Sequence, residues 1–106
     1  MFVAMNRFQV KPGKGEVFES AWSSRQSYLD QVPGFVSFRL LKGEDEVFIS
    51  YSTWVDENAF EAWTDSEAFA QAHRQRLPEG TLAGHPQLSC FEEVLVQQAK
   101  AVEGAD

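Results

Sequence analysis

Residues 33–64 read PGFVSFRLLKGEDEVFISYSTWVDENAFEAWT. Phe35 to Leu41 and Glu46 to Trp54 are two runs rich in β-branched and aromatic residues, and the charged, glycine-containing Lys42-Gly43-Glu44-Asp45 between them predicts a hairpin. Asp56 is placed to cap a short helix through Trp63. Thr64 with Glu67 three residues later has the form of a capping box, which predicts a break near Thr64 and a second helix running past Phe69 and His73 to Leu77-Pro78-Glu79-Gly80. Upstream, Phe2 to Val10 alternates as a strand does and is stopped by Pro12-Gly13. From Glu16 to Val32 the apolar residues Val17, Phe18, Ala21, Trp22, Tyr28, Leu29 and Val32 recur at spacings of three and four, predicting one amphipathic helix that ends at Pro33-Gly34. Downstream, a last strand is expected from Leu88 to Gln97.

The order strand, helix, strand, strand, helix, strand is the split βαβ arrangement of a ferredoxin-like α+β fold, with helices on one face of the sheet. A single domain over residues 1–97 is expected, followed by a polar tail, 98–106. Residues such as Val3 and Met5 would point to the other face, and a homodimer pairing two sheets would cover them. A 106-residue chain with 43% hydrophobic residues can bury a core without disulfides. A net charge of −7 argues against nucleic acid or anionic membrane surfaces as partners. The single Cys90 can form no internal disulfide and reads as a small strand residue, which fits a reducing compartment. The N-terminus carries no signal-peptide pattern and no window approaches 18 apolar residues, so a cytoplasmic protein is expected.

Three residues are out of keeping with a purely structural pattern. If Phe2, Ala4, Asn6, Phe8 and Val10 share the helix-facing side, Asn6 is the one polar residue in an apolar row. It either bonds neighbouring backbone or aims a donor into a pocket between sheet and helices. His73, with Arg74 and Arg76 beside it, suits the negative end of a helix dipole; it is equally an imidazole ligand facing a cavity. The arginines are either a solvated basic helix end or the holders of an anionic ligand's carboxylates at the pocket mouth. Trp63 is either core packing or a rigid ring pressed against a flat ligand. An unbroken helix would separate Trp63 from His73 by roughly 15 Å, and a break at Thr64 would shorten that.

The stretch Tyr51-Ser-Thr-Trp-Val-Asp-Glu-Asn-Ala-Phe-Glu-Ala-Trp63, followed by Ser66-Glu-Ala-Phe-Ala-Gln-Ala-His73, resembles the strand-to-helix segment of the antibiotic-biosynthesis-monooxygenase superfamily. With Asn6 in the first strand, the chain resembles the IsdG-type heme-degrading monooxygenases within it, over roughly residues 1 to 97. The resemblance implies a dimeric α+β barrel that binds heme as cofactor and substrate, and opens the macrocycle with O2 and electrons from an external donor, either a reductase or a small reductant. It implies His73 as iron ligand, Trp63 as the residue that ruffles the porphyrin, Asn6 as a distal hydrogen-bond donor, and Arg74 and Arg76 as propionate partners. His85, in the loop before Pro86, is a rival ligand without the matching helical position. The segment between Arg76 and Leu88 has no residue-by-residue counterpart. Two other readings stand beside this one: a cofactor-free oxygenase acting on a quinol or polycyclic substrate, and a non-enzymatic module that binds heme or a small apolar ligand.

Overall fold

The computed structural model describes residues 1–24, 29–74 and 77–99. Strand β1 (Phe2–Gln9) leads through α1 (Gly15–Ser23) and a 3₁₀ turn (Leu29–Gln31) to the hairpin β2 (Phe35–Lys42) and β3 (Val47–Trp54). Helices α2 (Glu57–Thr64) and α3 (Glu67–Arg74) follow, and β4 (Gln87–Glu92) closes the sheet. The spatial order is β2-β3-β1-β4, with every neighbouring pair antiparallel. Each βαβ unit therefore straddles a strand of the other, as in the expected ferredoxin-like α+β fold.

The hairpin turns where its charges and glycine place it, with Gly43 N–H donating to the Val47 carbonyl at 2.8 Å. The left-handed residues are Asp45 (φ 56°) and Glu46 (φ 61°), while Gly43 stays outside that region. Asp56 caps α2, its Oδ1 accepting from Ala59 N at 2.8 Å.

Four local expectations are corrected. The helix expected over Glu16 to Val32 ends at Ser23, where the hydroxyls of Ser23 and Ser24 donate back to the Glu19 and Ser20 carbonyls at 2.9 Å and compete with helix continuation. Tyr28, assigned to that helix, lies outside the described residues. The helix breaks next to Thr64 as expected, at Asp65-Ser66, but Ser66 and not Thr64 is the cap: its Oγ donates to the Trp63 carbonyl at 2.6 Å and accepts from Phe69 N at 3.1 Å. Thr64 instead donates to the Glu61 carbonyl within α2. The last strand stops at Glu92, short of Gln97, because its ladder partner runs out: Glu92 pairs with Phe2, and Glu93 N–H donates to the Met1 carbonyl. Finally, Val3 is only 4% exposed within one chain and Met5 is half-buried, so the exposed apolar surface lies elsewhere. It is concentrated on β4 and the segment after it, at Leu88, Phe91, Val94, Leu95 and Val96.

The helix-facing side of the sheet holds two separate apolar clusters. Phe2, Trp54, Trp63 and Ala72 form one, with Phe35, Phe60 and Phe69 packed against it. Phe8, Val10, Phe18 and Phe48 form the other, with Trp22 and Leu40 against it. Strand register explains the division. Along the shared face β1 reads Phe2, Ala4, Asn6, Phe8 and the paired residues of β3 read Trp54, Ser52, Ser50, Phe48. Large side chains meet large ones at both ends, and small or polar ones meet in the middle. The sheet thus holds its helices away from its own centre.

Candidate functional site

A cavity of about 390 Å³ lies in that gap. Its floor is Ala4, Asn6, Phe8, Ser50 and Ser52, and its walls include Trp22, Phe38, Trp54, Phe60, Trp63, Phe69 and His73. The volume is within the usual range for a small-molecule site, and the predominance of aromatic walls with a few polar groups is the usual composition of one.

Asn6, Trp63 and His73 all border this single cavity. The Asn6 Oδ1 atom is buried and has no hydrogen-bond partner. The neutral alternative, a carboxamide satisfied by neighbouring backbone, does not describe it. The carboxamide borders the cavity with this oxygen unpaired, and its Nδ2 carries two donors.

Trp63 is 7% exposed and rigidly held. It stacks on Trp54 at 6.4 Å with an interplanar angle of 26°, and Phe69 meets it edge-on at 5.5 Å and 88°. Trp54 is fixed in turn by its Nε1–H, which donates to Ser52 Oγ at 3.1 Å. The helix break supplies the relative position of Trp63 and His73. Ser66 bonds a carbonyl in the last turn of α2 and an N–H in the first turn of α3, and both helices present a ring to the same space.

His73 Nδ1 lies 3.0 Å from the Phe69 carbonyl oxygen, one helical turn back. A carbonyl can only accept, so Nδ1 carries the proton and, in the neutral ring, Nε2 carries the lone pair. The imidazole also packs on the Phe69 ring, with centroids 3.9 Å apart. A backbone acceptor that fixes the tautomer and leaves the other nitrogen available is the usual support of a metal-binding histidine. His85 is exposed and takes no part in the cavity. Arg74 ends α3, but its side chain and the whole of Arg76 lie outside the described residues. Cys90 sits on β4 across from Ala4; partial burial, and then the Glu57 carboxylate, raise its pKa, so it remains a neutral thiol at pH 7.

Sequence reasoning on β1 singled out Asn6 but passed over Ser50 and Ser52 on β3. Their signal was present in Phe48-Ile-Ser-Tyr-Ser-Thr-Trp54, where two hydroxyls interrupt the same face between two large aromatics.

The antibiotic biosynthesis monooxygenase family profile matches residues 1–75. A mycobilin-producing heme oxygenase of Mycobacterium tuberculosis is 33% identical over 96 residues, covering 88% of this chain and 89% of that protein. A staphylobilin-producing heme oxygenase of Staphylococcus haemolyticus is 34% identical over 80 residues, covering 72% and 76%. Deoxynogalonate monooxygenase of Streptomyces nogalater is 31% identical over 102 residues, covering 76% and 86%. Among solved structures, a point mutant of MhuD with two manganese protoporphyrin IX molecules bound per active site superposes with a TM-score of 0.78 at 26% identity, covering 93% of this chain and all of that one. The chain belongs to the antibiotic biosynthesis monooxygenase family and is similar, within it, to the IsdG-type heme oxygenases.

Proposed function

We propose that this protein is a heme-degrading monooxygenase that opens the heme macrocycle with O2 and an external reductant and releases iron, heme being both cofactor and substrate. The observation that carries this reading is one aromatic-walled cavity bordered by an imidazole whose Nδ1 is held by a backbone carbonyl and by a carboxamide with a buried, unpaired oxygen. The similarity to two heme oxygenases, and to MhuD with a metalloporphyrin bound, supports it.

The donor set fits heme. His73 Nε2 would hold the heme iron, with the Phe69 carbonyl keeping the imidazole in the ligating tautomer. Heme, when bound, supplies the redox chemistry. Asn6 Nδ2 would donate a hydrogen bond to a group bound in the cavity and so bias where the ring reacts. Trp63, backed by Trp54 and Phe69, would press on a flat ring placed against it and favour its bending. Arg74 and Arg76, by the resemblance, would pair with the propionates. The clustered aromatic walls exclude water from the ring faces. A second copy of the chain covers β4 and Val94 to Val96, and a solution mass of twice the 12.0 kDa protomer tests that dimer. Residues 1–97 act as the single functional domain, in the cytoplasm.

Hemin titration of the purified protein, followed by ascorbate in air with catalase present, tests the function. The expected result is a saturable Soret band at one heme per chain that decays as iron is released. His73→Ala should lose or badly weaken that band while its far-ultraviolet circular dichroism stays intact; unchanged binding would refute the ligand assignment. Asn6→Ala should keep the band and lose turnover. A band that never decays identifies a non-enzymatic heme-binding module. The similarity to deoxynogalonate monooxygenase supports a second reading, a cofactor-free oxygenase on a quinol or polycyclic substrate; on that reading the present protein should give no band with hemin.

A further inference from the structure

The buried Asn6 oxygen raises a question that the proposed heme chemistry does not answer: what keeps the carboxamide from turning over. A flipped Asn6 would present its acceptor to the cavity, and the distal donor would be lost. The candidates are the residues opposite it and diagonal to it on the same face. On β4 these are Leu88, which has no polar side-chain atom, and Cys90, an exposed neutral thiol and a weak donor. On β3 they are Phe48, Ser52 and Ser50. Phe48 is apolar. Ser52 is already committed, accepting from Trp54 Nε1 at 3.1 Å and donating to the Ala4 carbonyl at 3.4 Å. Ser50 is the direct partner of Asn6 in the β1–β3 ladder, borders the same cavity, and makes no side-chain hydrogen bond among the described residues. Cβ atoms of cross-strand partners lie about 4.5–5.5 Å apart, so one χ1 rotation brings a serine hydroxyl within reach of the neighbouring carboxamide.

We propose that Ser50 is a positioning residue for the distal face: when an apolar ring fills the cavity, Ser50 Oγ–H donates to Asn6 Oδ1 and locks the carboxamide with Nδ2 toward the ligand. The driving force is local. Oδ1 is already buried without a donor, and an apolar ring expels from the cavity the water that would otherwise bond the Ser50 hydroxyl, so the two groups are left to pair with each other. The pairing also makes the donor stronger, because a hydrogen bond accepted at the carbonyl end polarises the N–H bonds at the other end. This inference rests on the heme reading and adds to it a residue that never touches the iron.

The test uses hemin-loaded protein and the C–O stretch of its ferrous–CO complex, a frequency that responds to a donor beside the ligand. Wild type, Ser50→Ala, Ser50→Thr, Asn6→Ala and the Asn6→Ala/Ser50→Ala pair are compared. In Ser50→Ala the band should shift or split toward its position in Asn6→Ala, with hemin affinity within about threefold of wild type and ring opening slowed roughly five- to tenfold, the effect of one hydrogen bond. Ser50→Thr should restore the wild-type band, and the double variant should match Asn6→Ala alone. A Ser50→Ala band at the wild-type position, while that of Asn6→Ala moves, overturns the positioning role and leaves the heme reading intact. Equal loss in Ser50→Ala and Ser50→Thr also overturns it, because steric packing would then be the cause. Failure of the wild-type protein to bind hemin overturns both.

Discussion

Replacing Asn6 by leucine should make the ligand-free protein more stable and inactive at once. The two side chains are close in shape, so the change exchanges a polar terminus for an apolar one with little change in volume. In the wild type, Oδ1 is buried with no partner, which costs on the order of 1–3 kcal/mol. Leucine removes that cost and suits a strand better than asparagine. For a domain of about 100 residues each kcal/mol moves the melting temperature by roughly 4–8 °C, so a rise of at least about 4 °C is expected. Thermal denaturation of the hemin-free variant, monitored by circular dichroism beside wild type, measures it, and ascorbate-driven decay of the Soret band measures the loss of turnover. A variant that melts at or below the wild-type temperature would show that the Asn6 oxygen is satisfied in solution. The expected pairing of gained stability with lost activity is what a polar group kept for chemistry produces.

Gly34 has φ 83° and a Cβ built there would stand 2.4 Å from the Ala59 Cβ. Gly34→Ala should therefore cost about 1–2 kcal/mol for the left-handed backbone and roughly 1–3 more for the clash, read as a lowered urea midpoint; the control Gly80→Ala, with open space around its Cβ, should incur only the backbone part. Ser66→Ala removes the cap at the helix break and should lower stability by about 0.5–2 kcal/mol in urea, and its hemin affinity should fall because Trp63 and His73 lose their shared reference point; tight binding in that variant would mean that packing alone orients the two rings. The raised Cys90 pKa predicts that at pH 8 the thiol reacts with iodoacetamide more slowly than free cysteine, since the thiolate fraction is smaller. Glu57→Gln should speed that reaction by lowering the pKa, and a rate independent of residue 57 would contradict the electrostatic contribution.

The alternation of β1, the hairpin chemistry of residues 42–45 and the Asp56 cap each depend on residues adjacent in sequence, and each was legible there. Strand order followed because two interlocked βαβ units leave few alternatives. The errors came where hydrogen-bond geometry, which a hydrophobic pattern does not carry, decides the outcome. Hydrophobic spacing carried the first helix to Val32, but hydroxyl competition at Ser23 and Ser24 ends it. The last strand's pattern ran on to Gln97, although its length is set by where β1 begins. Thr64 and Ser66 are both plausible caps, and only the placement of the Trp63 carbonyl distinguishes them. The candidate site was half legible: Asn6 stands out on a strand read alone, whereas Ser50 and Ser52 acquire meaning only once register sets them opposite Asn6 and Ala4.

The division of the interior into two clusters has a consequence for how the protein lives between ligands. A flat apolar molecule in the cavity touches both clusters and serves as the missing middle of the core, so loading stabilises the fold by RT ln(1 + [L]/Kd). An enzyme that destroys such a molecule dismantles part of its own interior with every cycle. Its resistance to proteolysis should then rise and fall with the supply of what it consumes, and a protein left without substrate would be the first to be cleared.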